Sequence, residues 1–165
     1  MKIVVRLVLL VVLAALGYWI YTVLFPPTEV VIRKRLNKIA ELASFSSGQG
    51  NIIKVANLER LGTYFKDNVE VVVDVPGFGP HTFNQKAELM QAAGAARSTV
   101  PSLNAKFIDI NVDVGSAKHL ATADLTLEAS VGGQKDAIVQ ELKFTLENVN
   151  GTWLVARIET VKTLK

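Results

Sequence analysis

Apolar positions are concentrated most heavily at the N-terminus. No charged side chain occurs from Leu7 to Phe25, and the apolar run continues on the other side of Arg6. A helix over those residues spans roughly 28 Å at about 1.5 Å per residue, close to the hydrocarbon thickness of a bilayer. Backbone groups in lipid must hydrogen-bond within their own segment. The pattern therefore predicts a transmembrane anchor over residues 1–27, which the Pro26-Pro27 pair ends.

Aromatic residues mark one end of this anchor. Tyr18, Trp19 and Tyr21 cluster towards its C-terminal end, where amphipathic rings favour the membrane–water interface. A cleaved signal peptide is the competing interpretation, because the small residues around Leu16 resemble a cleavage site. The apolar run continues to Phe25, which is longer than an ordinary signal-peptide core. This length favours an uncleaved, single-pass anchor.

The charges that flank the anchor give two opposite indications of orientation. Lys2 and Arg6 favour a cytoplasmic N-terminus, whereas four basic residues beyond the anchor favour a cytoplasmic domain. Those four are Arg33, Lys34, Arg35 and Lys38. A short charged tail before an apolar segment is typical of export signals, so we expect the inner membrane and a periplasmic domain. The four basic residues are also candidates for contact with lipid headgroups, and a solvated helix face is the alternative.

Three segments beyond the anchor carry helical periodicity. The first extends from an N-cap at Thr28 to Ser44, and the second from Ile52 to about Tyr64. A capping box over residues 82–85 predicts a third helix to about residue 97. These segments account for the helical part of the domain.

Alternation with a period of two predicts five strands. The first covers Val69–Val75 and is followed by a turn over residues 76–80. The other four are Ala105–Val114, Leu120–Val131, Ala137–Val149 and Thr152–Leu164. Asn150-Gly151 is a strong hairpin signal, so the last two strands should be antiparallel.

The last four strands have one apolar and one polar face. The face expected to lie beneath the helices includes Ile108, Leu127, Phe144, Leu154 and Ala156, whereas nearly every acidic side chain lies on the other face. Gln140 and Thr160 are the main polar residues on the apolar face. A pair of carboxylates or an Asp–His pair does not assemble from this pattern, and we expect no catalytic site.

Composition excludes several other functions. Basic and acidic residues nearly balance beyond the anchor, so nucleic acid is not an expected partner. The chain has no cysteine and 2 histidines, which lie far apart in sequence. We therefore expect no metal site and no cofactor.

The order of elements resembles the nuclear-transport-factor-two-like (NTF2-like) superfamily. The residues that carry the resemblance are Leu61-Gly62-Thr63-Tyr64-Phe65-Lys66-Asp67-Asn68-Val69-Glu70-Val71, Gly79-Pro80-His81 and Gly151-Thr152-Trp153-Leu154-Val155. The resemblance implies an α+β cone over residues 28–165, with three helices packed on one face of a curved, mostly antiparallel sheet. The superfamily includes isomerases, cyclases and dehydratases, and also membrane-anchored scaffold proteins of envelope and import complexes.

Three residues are candidates for the pocket that this fold implies: Tyr64, His81 and Gln140. Tyr64 has a core position as its alternative interpretation, and His81 an exposed turn. Asp67 is a further candidate, with a turn or cap as its alternative, while Trp153 is expected to plug one edge of the sheet. We expect a non-catalytic, membrane-anchored accessory or assembly subunit of a larger membrane protein complex. The alternatives are a binding module for a small apolar ligand or lipid, and an enzyme similar to ketosteroid isomerase.

Overall fold

The N-terminal segment is helical over residues 11–20, and all of its side chains are exposed. The computed structural model describes residues 11–20, 24, 26–75, 79–132 and 137–161. Among these residues no helix is both long enough and apolar enough to cross a membrane. The predicted anchor over residues 1–27 also includes residues 1–10, 21–23 and 25, which lie outside the described ranges.

The other described residues form three helices and one six-stranded sheet. The helices are α1 (Thr28–Ala43), α2 (Asn51–Gly62) and α3 (Lys86–Thr99). The strands are β1 (Phe65–Val75), β2 (Gly79–Phe83), β3 (Leu103–Val114), β4 (Leu120–Val131), β5 (Ile138–Val149) and β6 (Thr152–Thr160). Their order is β2-β1-β6-β5-β4-β3, and only the β1–β6 pairing is parallel. The helices cover one face of the curved sheet, so the expected α+β cone is confirmed.

Two helix starts differ from the sequence predictions. The carbonyl of Pro27 accepts hydrogen bonds from the N–H groups of Val30 and Val31 at 3.0 and 3.2 Å, so Thr28 is the first helical residue and not the N-cap. The predicted capping box at residues 82–85 is also wrong, because its first two residues belong to β2. The N–H of Asn84 is instead bonded by Glu88 Oε2 at 3.1 Å.

Strand β1 begins earlier than its sequence pattern predicts. Asp67 and Asn68 lie inside β1, so the prediction of a turn at Asp67 is wrong. The pairing of β1 with β6 is irregular between Phe65 and Glu70, which accommodates these polar residues within a strand. Strand β2 pairs with the end of β1, so His81 lies in an edge strand and not in a turn.

A bulge in β3 exchanges the two faces of that strand. Between Ile108 and Asn111 the register shifts against β4, and Asp109 adopts φ 51°. Because one extra residue reverses the alternation, Phe107 and Ile110 are both buried. The prediction that Ile108 lies on the apolar face is therefore wrong.

A second register shift has the same effect in β6. Val155 and Ile158 are both buried although they are three residues apart, because the pairing with β5 shifts around Ala156. The predictions that Leu154 and Ala156 lie on the apolar face are wrong. Trp153 is 5% exposed and belongs to the core on a central strand, so the prediction that it plugs an edge is also wrong.

The hairpin between β5 and β6 forms as predicted. Asn150 and Gly151 have φ values of 51° and 83°, which are the left-handed conformations that a type I′ turn requires. The turn pairs Val149 with Thr152 directly. The Asn-Gly signal thus fixes the register of two central strands.

The core lies between α1 and the concave face of the sheet. Ile32 and Leu36 on α1 are completely buried, and Ile39 follows one turn later on the same face. Opposite them, Phe144 and Leu146 are 1% exposed. Helix α2 buries only its last two residues, so it contributes little to this core.

Arg97 on α3 is the buried charged residue of the described core. Its guanidinium donates hydrogen bonds of 2.5 Å to the carbonyls of Leu42 and Lys54, and it lies 5.6 Å from the Phe45 ring centroid. Burial lowers the pKa of this guanidinium from its ordinary value. The Arg97 side chain thus contacts the end of α1, the interior of α2 and Phe45 in the loop that follows α1.

We predict that Arg97→Met lowers the free energy of unfolding by about 3 kcal/mol, because two carbonyl groups lose a charged donor. Arg97→Lys should lose roughly half as much, since an ammonium cannot span both carbonyls in the geometry of a guanidinium. Urea unfolding of the full chain in mild detergent measures both. Arg60→Met, at an exposed position of α2, is the control. Equal stability of the Arg97→Met and Arg60→Met variants would contradict the assigned role.

Candidate functional site

A cavity of about 340 Å³ lies between α1 and the concave face of the sheet. All but three of its lining residues are apolar. They are Ile39, Ala40, Ala43, Val71, Val73, Asp74, Leu103, Ala105, Phe107, Leu127, Ala129, Ile138, Gln140, Leu142, Phe144, Ile158 and Thr160. The residues come from α1 and from five of the six strands.

Small side chains account for the open space. Ala40 and Ala43 line the cavity from α1, and Ala105 and Ala129 line it from the sheet. Protein interiors are normally packed so tightly that few voids exceed the size of a water molecule. Four alanines where a helix faces a sheet leave room that leucines or phenylalanines would fill.

Aromatic rings form part of the cavity wall. Phe107 on β3 and Phe144 on β5 pack edge to face, with ring centroids 5.4 Å apart and planes at 68°. This arrangement is favourable because the positive edge of one ring meets the negative face of the other. The bulge at Asp109 gives Phe107 this position, so the site depends on an irregularity in β3.

The three polar lining residues come from the neighbouring strands β1, β6 and β5. Thr160 Oγ1 accepts a hydrogen bond from the N–H of Asp74 at 3.0 Å. The side chain of Gln140 makes no hydrogen bond to any other described residue. Asp74 is exposed, and neither it nor the site's alanines were singled out from sequence. Alternation along β1 places Asp74 on the face opposite Val71 and Val73, and its position near the end of the strand puts it beside the cavity.

The three predicted pocket residues occupy different parts of the fold. Gln140 lines the cavity. Tyr64 is half-buried outside it, and the guanidinium carbon of Arg35 lies 4.6 Å from the Tyr64 ring centroid. His81 is exposed on the edge strand β2, where its ring stacks against Phe83 at 6.5 Å. The structure therefore does not bring Tyr64, His81 and Gln140 into one site.

Asp67 also lies apart from the cavity. Its carboxylate forms an ion pair with Lys86 at the start of α3. The hydrogen bond and charge of Lys86 lower the pKa of Asp67 from its ordinary value. Asp67 is therefore ionised at neutral pH and connects β1 to α3 at the surface.

Acidic side chains on the outer face of the sheet form ion pairs there. Arg157 contacts both Glu70 and Glu159, and Lys66 pairs with Glu147. The contacts with Glu159 and Glu70 raise the pKa of Arg157. In the part of the chain that the structure describes, no group of three or more His, Cys, Asp or Glu residues is arranged to hold a metal ion.

The predicted membrane-interface residues divide into three groups. Tyr18 and Trp19 are 72% and 65% exposed on the N-terminal helical segment, and Tyr21 lies outside the described residues. Arg33 and Lys34 are exposed on α1. The remaining two have protein contacts: Lys38 pairs with Glu41 at 2.5 Å, and Arg35 packs on Tyr64.

A second concavity, of about 470 Å³, lies between α2 and α3. We call it the α2–α3 groove, and it is lined by Asn51, Lys54, Val55, Leu58, Gly94, Arg97 and Ser98. The two helices pack closely at Gly94, where an added Cβ would lie 3.4 Å from Leu58 Cδ2. Val55 in the groove lining is 57% exposed, and Ile52 beside the groove is 85% exposed.

Comparison with known proteins shows the fold of the chain. No protein-family model matches it, and no curated protein matches it. It is similar to an NTF2-like protein of unknown function from Pseudomonas putida, with a TM-score of 0.61, 11% identity and coverage of 83% of this chain and 87% of that chain. A protein of unknown function with a cystatin-like fold from Nostoc punctiforme gives a TM-score of 0.58, 15% identity and coverage of 81% and 90%.

A third similar structure is named provisionally for an enzyme. It is a protein from Novosphingobium aromaticivorans named as a scytalone dehydratase, with a TM-score of 0.57, 14% identity and coverage of 81% of this chain and 82% of that chain. At these identities the likeness shows the fold alone. The chain therefore has the NTF2-like, cystatin-like fold that its element order suggested.

We predict that Lys86→Gln returns the pKa of Asp67 to its ordinary value, because the hydrogen bond and the charge that lower it are lost. A carboxyl group with a lowered folded-state pKa contributes stability above its unfolded pKa, and that contribution disappears as the pH falls through the folded-state pKa. NMR titration of the Asp67 side chain measures the change. Lys106→Gln, at an exposed position of β3, is the matched control. An Asp67 titration identical in the two variants would contradict the ion pair.

Proposed function

We propose that this chain is a non-catalytic binding protein for a small apolar molecule, held at a membrane by its N-terminal helix. The cavity between α1 and the sheet is the observation that carries the proposal. Ligand sites are typically concave spaces of about 300–1,000 Å³, lined by apolar side chains with a few polar groups. A volume of about 340 Å³ lies at the small end of that range. The ligand should therefore be one compact molecule and not a long lipid chain.

The exposed N-terminal segment supports the membrane tether. Residues 11–20 include Val11, Leu13 and Ile20, which are 67%, 56% and 49% exposed. Transfer of apolar surface out of water is favourable by about 25 cal/mol per Å² in free energy. Apolar surroundings therefore stabilise such a helix. Together with the uncharged run from Leu7 to Phe25, this favours an anchor over residues 1–27 and a binding domain over residues 28–165. We place the anchor in the inner membrane and the domain on its periplasmic side.

An isomerase-like or dehydratase-like activity is not proposed. Tyr64, Asp67 and His81, on which that alternative depended, do not line the cavity.

We predict that Ala129→Phe weakens binding of naphthalene about tenfold or more, because the added ring occupies the cavity. Equilibrium dialysis against lipid nanodiscs that carry the full chain measures the binding, with empty nanodiscs as the blank for partitioning into lipid. Ala96→Phe adds the same ring at an exposed position of α3 and should leave binding unchanged. No uptake of naphthalene above the blank by the unmodified chain would refute the proposal.

A second function is favoured by the α2–α3 groove: the chain is an accessory or assembly subunit that docks on a larger membrane protein complex. Lys54 lines this groove beside the buried Arg97, whose guanidinium is already bonded to two carbonyls, and no carboxylate lines it among the described residues. Val55 in the groove and Ile52 beside it leave apolar surface in water. A cationic groove beside apolar residues suits a protein segment with one carboxylate and adjacent apolar side chains.

We predict that Ile52→Ser combined with Val55→Ser removes a co-purifying membrane protein. The tagged full chain is extracted with mild detergent from membranes first washed at alkaline pH, and its partners are identified by mass spectrometry. Leu120→Ser, on an exposed residue of β4, should retain the partner. Release of the chain by the alkaline wash would contradict the anchor. Recovery of the unmodified chain alone would contradict the assembly role.

A further inference from the structure

The cavity has one polar end, formed by Gln140 on β5 and Thr160 on β6. Leu142 pairs with Thr160 across these strands, so Gln140 is the diagonal neighbour of Thr160 at about 7 Å. Gln140 follows the alternation of the buried Leu142 and Phe144, which places it on the concave face. Two polar side chains therefore lie together in a wall that is otherwise apolar.

Both side chains keep hydrogen-bonding capacity. Thr160 Oγ1 already accepts a hydrogen bond from the N–H of Asp74, so its own hydroxyl hydrogen is available to donate. The Gln140 amide has two N–H donors and one carbonyl, and none of them is bonded to another described residue. A polar group beside apolar surface is stabilised when it gains a partner, and here a bound molecule is positioned to supply one.

The surroundings of this polar end lack a countercharge for an anionic ligand. Neither Gln140 nor Thr160 carries charge, and the only ionisable lining residue among those described is the exposed Asp74. Along β1, Asp74 follows the alternation of Glu70, which pairs with Arg157 on the outer face. An anionic head would lose its hydration at this end of the cavity without gaining an opposite charge, and a cationic head would find only a carboxylate that alternation directs to the outer face.

We propose that the ligand is an uncharged molecule with a compact apolar body and one oxygen-bearing head, such as a ketone, an ester or an alcohol. The head oxygen accepts hydrogen bonds from Gln140 and Thr160. The apolar body lies against Phe107 and Phe144 and fills the space beside Ala105 and Ala129. This inference rests on the proposed binding function and adds the chemical class of the ligand.

The test compares four probes with equal carbon counts: hexane, methyl butyl ketone, hexanoate and hexylammonium. Equilibrium dialysis against nanodiscs that carry the full chain measures their uptake over empty nanodiscs. We expect the ketone to bind roughly fivefold more tightly than hexane, the contribution of about one hydrogen bond. The two ionised probes should bind at least about tenfold more weakly than the ketone.

Substitutions at the polar end identify the residues responsible. Gln140→Leu should abolish the preference for the ketone over hexane, and Thr160→Val should reduce it, while naphthalene uptake is retained in both. Gln91→Leu on α3 and Thr126→Val on β4 make the same chemical changes outside the cavity and should leave the preference intact.

The outcomes separate this inference from the function on which it rests. Equal binding of ketone and hexane, with naphthalene still bound, refutes the proposal of an oxygen-bearing head but is compatible with an apolar binding site. If hexylammonium binds most tightly, the proposal of an uncharged head is refuted. The Asp74 carboxylate is then the expected partner of the ammonium group, and the Asp74→Asn variant tests this. Absence of naphthalene uptake refutes the binding function and this inference together.

Discussion

The contact between the apolar face of α1 and the concave side of the sheet is the interaction on which the rest of the structure depends. Ile32 and Leu36 are fully buried against strands that are distant in sequence. Complete burial of such a side chain stabilises the folded state by about 1.5–3 kcal/mol, so this face of α1 is a main source of the stability of the fold. Helix α2 buries far less, and Arg97 connects it to α1 through backbone carbonyls. The cavity is the part of the same contact where alanines replace larger side chains.

Bulges in β3 and β6 decide which side chains reach that contact. A strand with unbroken alternation would place Ile108 and Ala156 over the helix. The register shifts near Asp109 and Ala156 bring Phe107 and Val155 there instead. The added twist of bulged strands also helps a sheet to curve around a helix. Local irregularity thus sets both the shape of the cone and the aromatic wall of its cavity.

The separation of charge from the cavity favours binding over chemistry. On the outer face, Glu70 and Glu159 pair with Arg157, and their carboxylates are occupied there. On the inner face, Gln140 and Thr160 offer neutral hydrogen bonds. Such a site suits the binding function that we propose, whereas proton transfer usually relies on ionisable groups with tuned pKa values. The exposed helical segment at residues 11–20 adds apolar surface, which supports the membrane tether that we propose.

The sequence by itself determined the element types, the order of the helices and long strands, and the hairpin at Asn150-Gly151. These follow from local periodicity and turn chemistry, which act over a few neighbouring residues. It also identified Gln140 and Thr160 as polar residues on an apolar face. Only the tertiary structure decided that Tyr64 and His81 lie apart from them. Strand order, bulges and the edge position of β2 depend on contacts between distant segments, and no local pattern encodes those contacts.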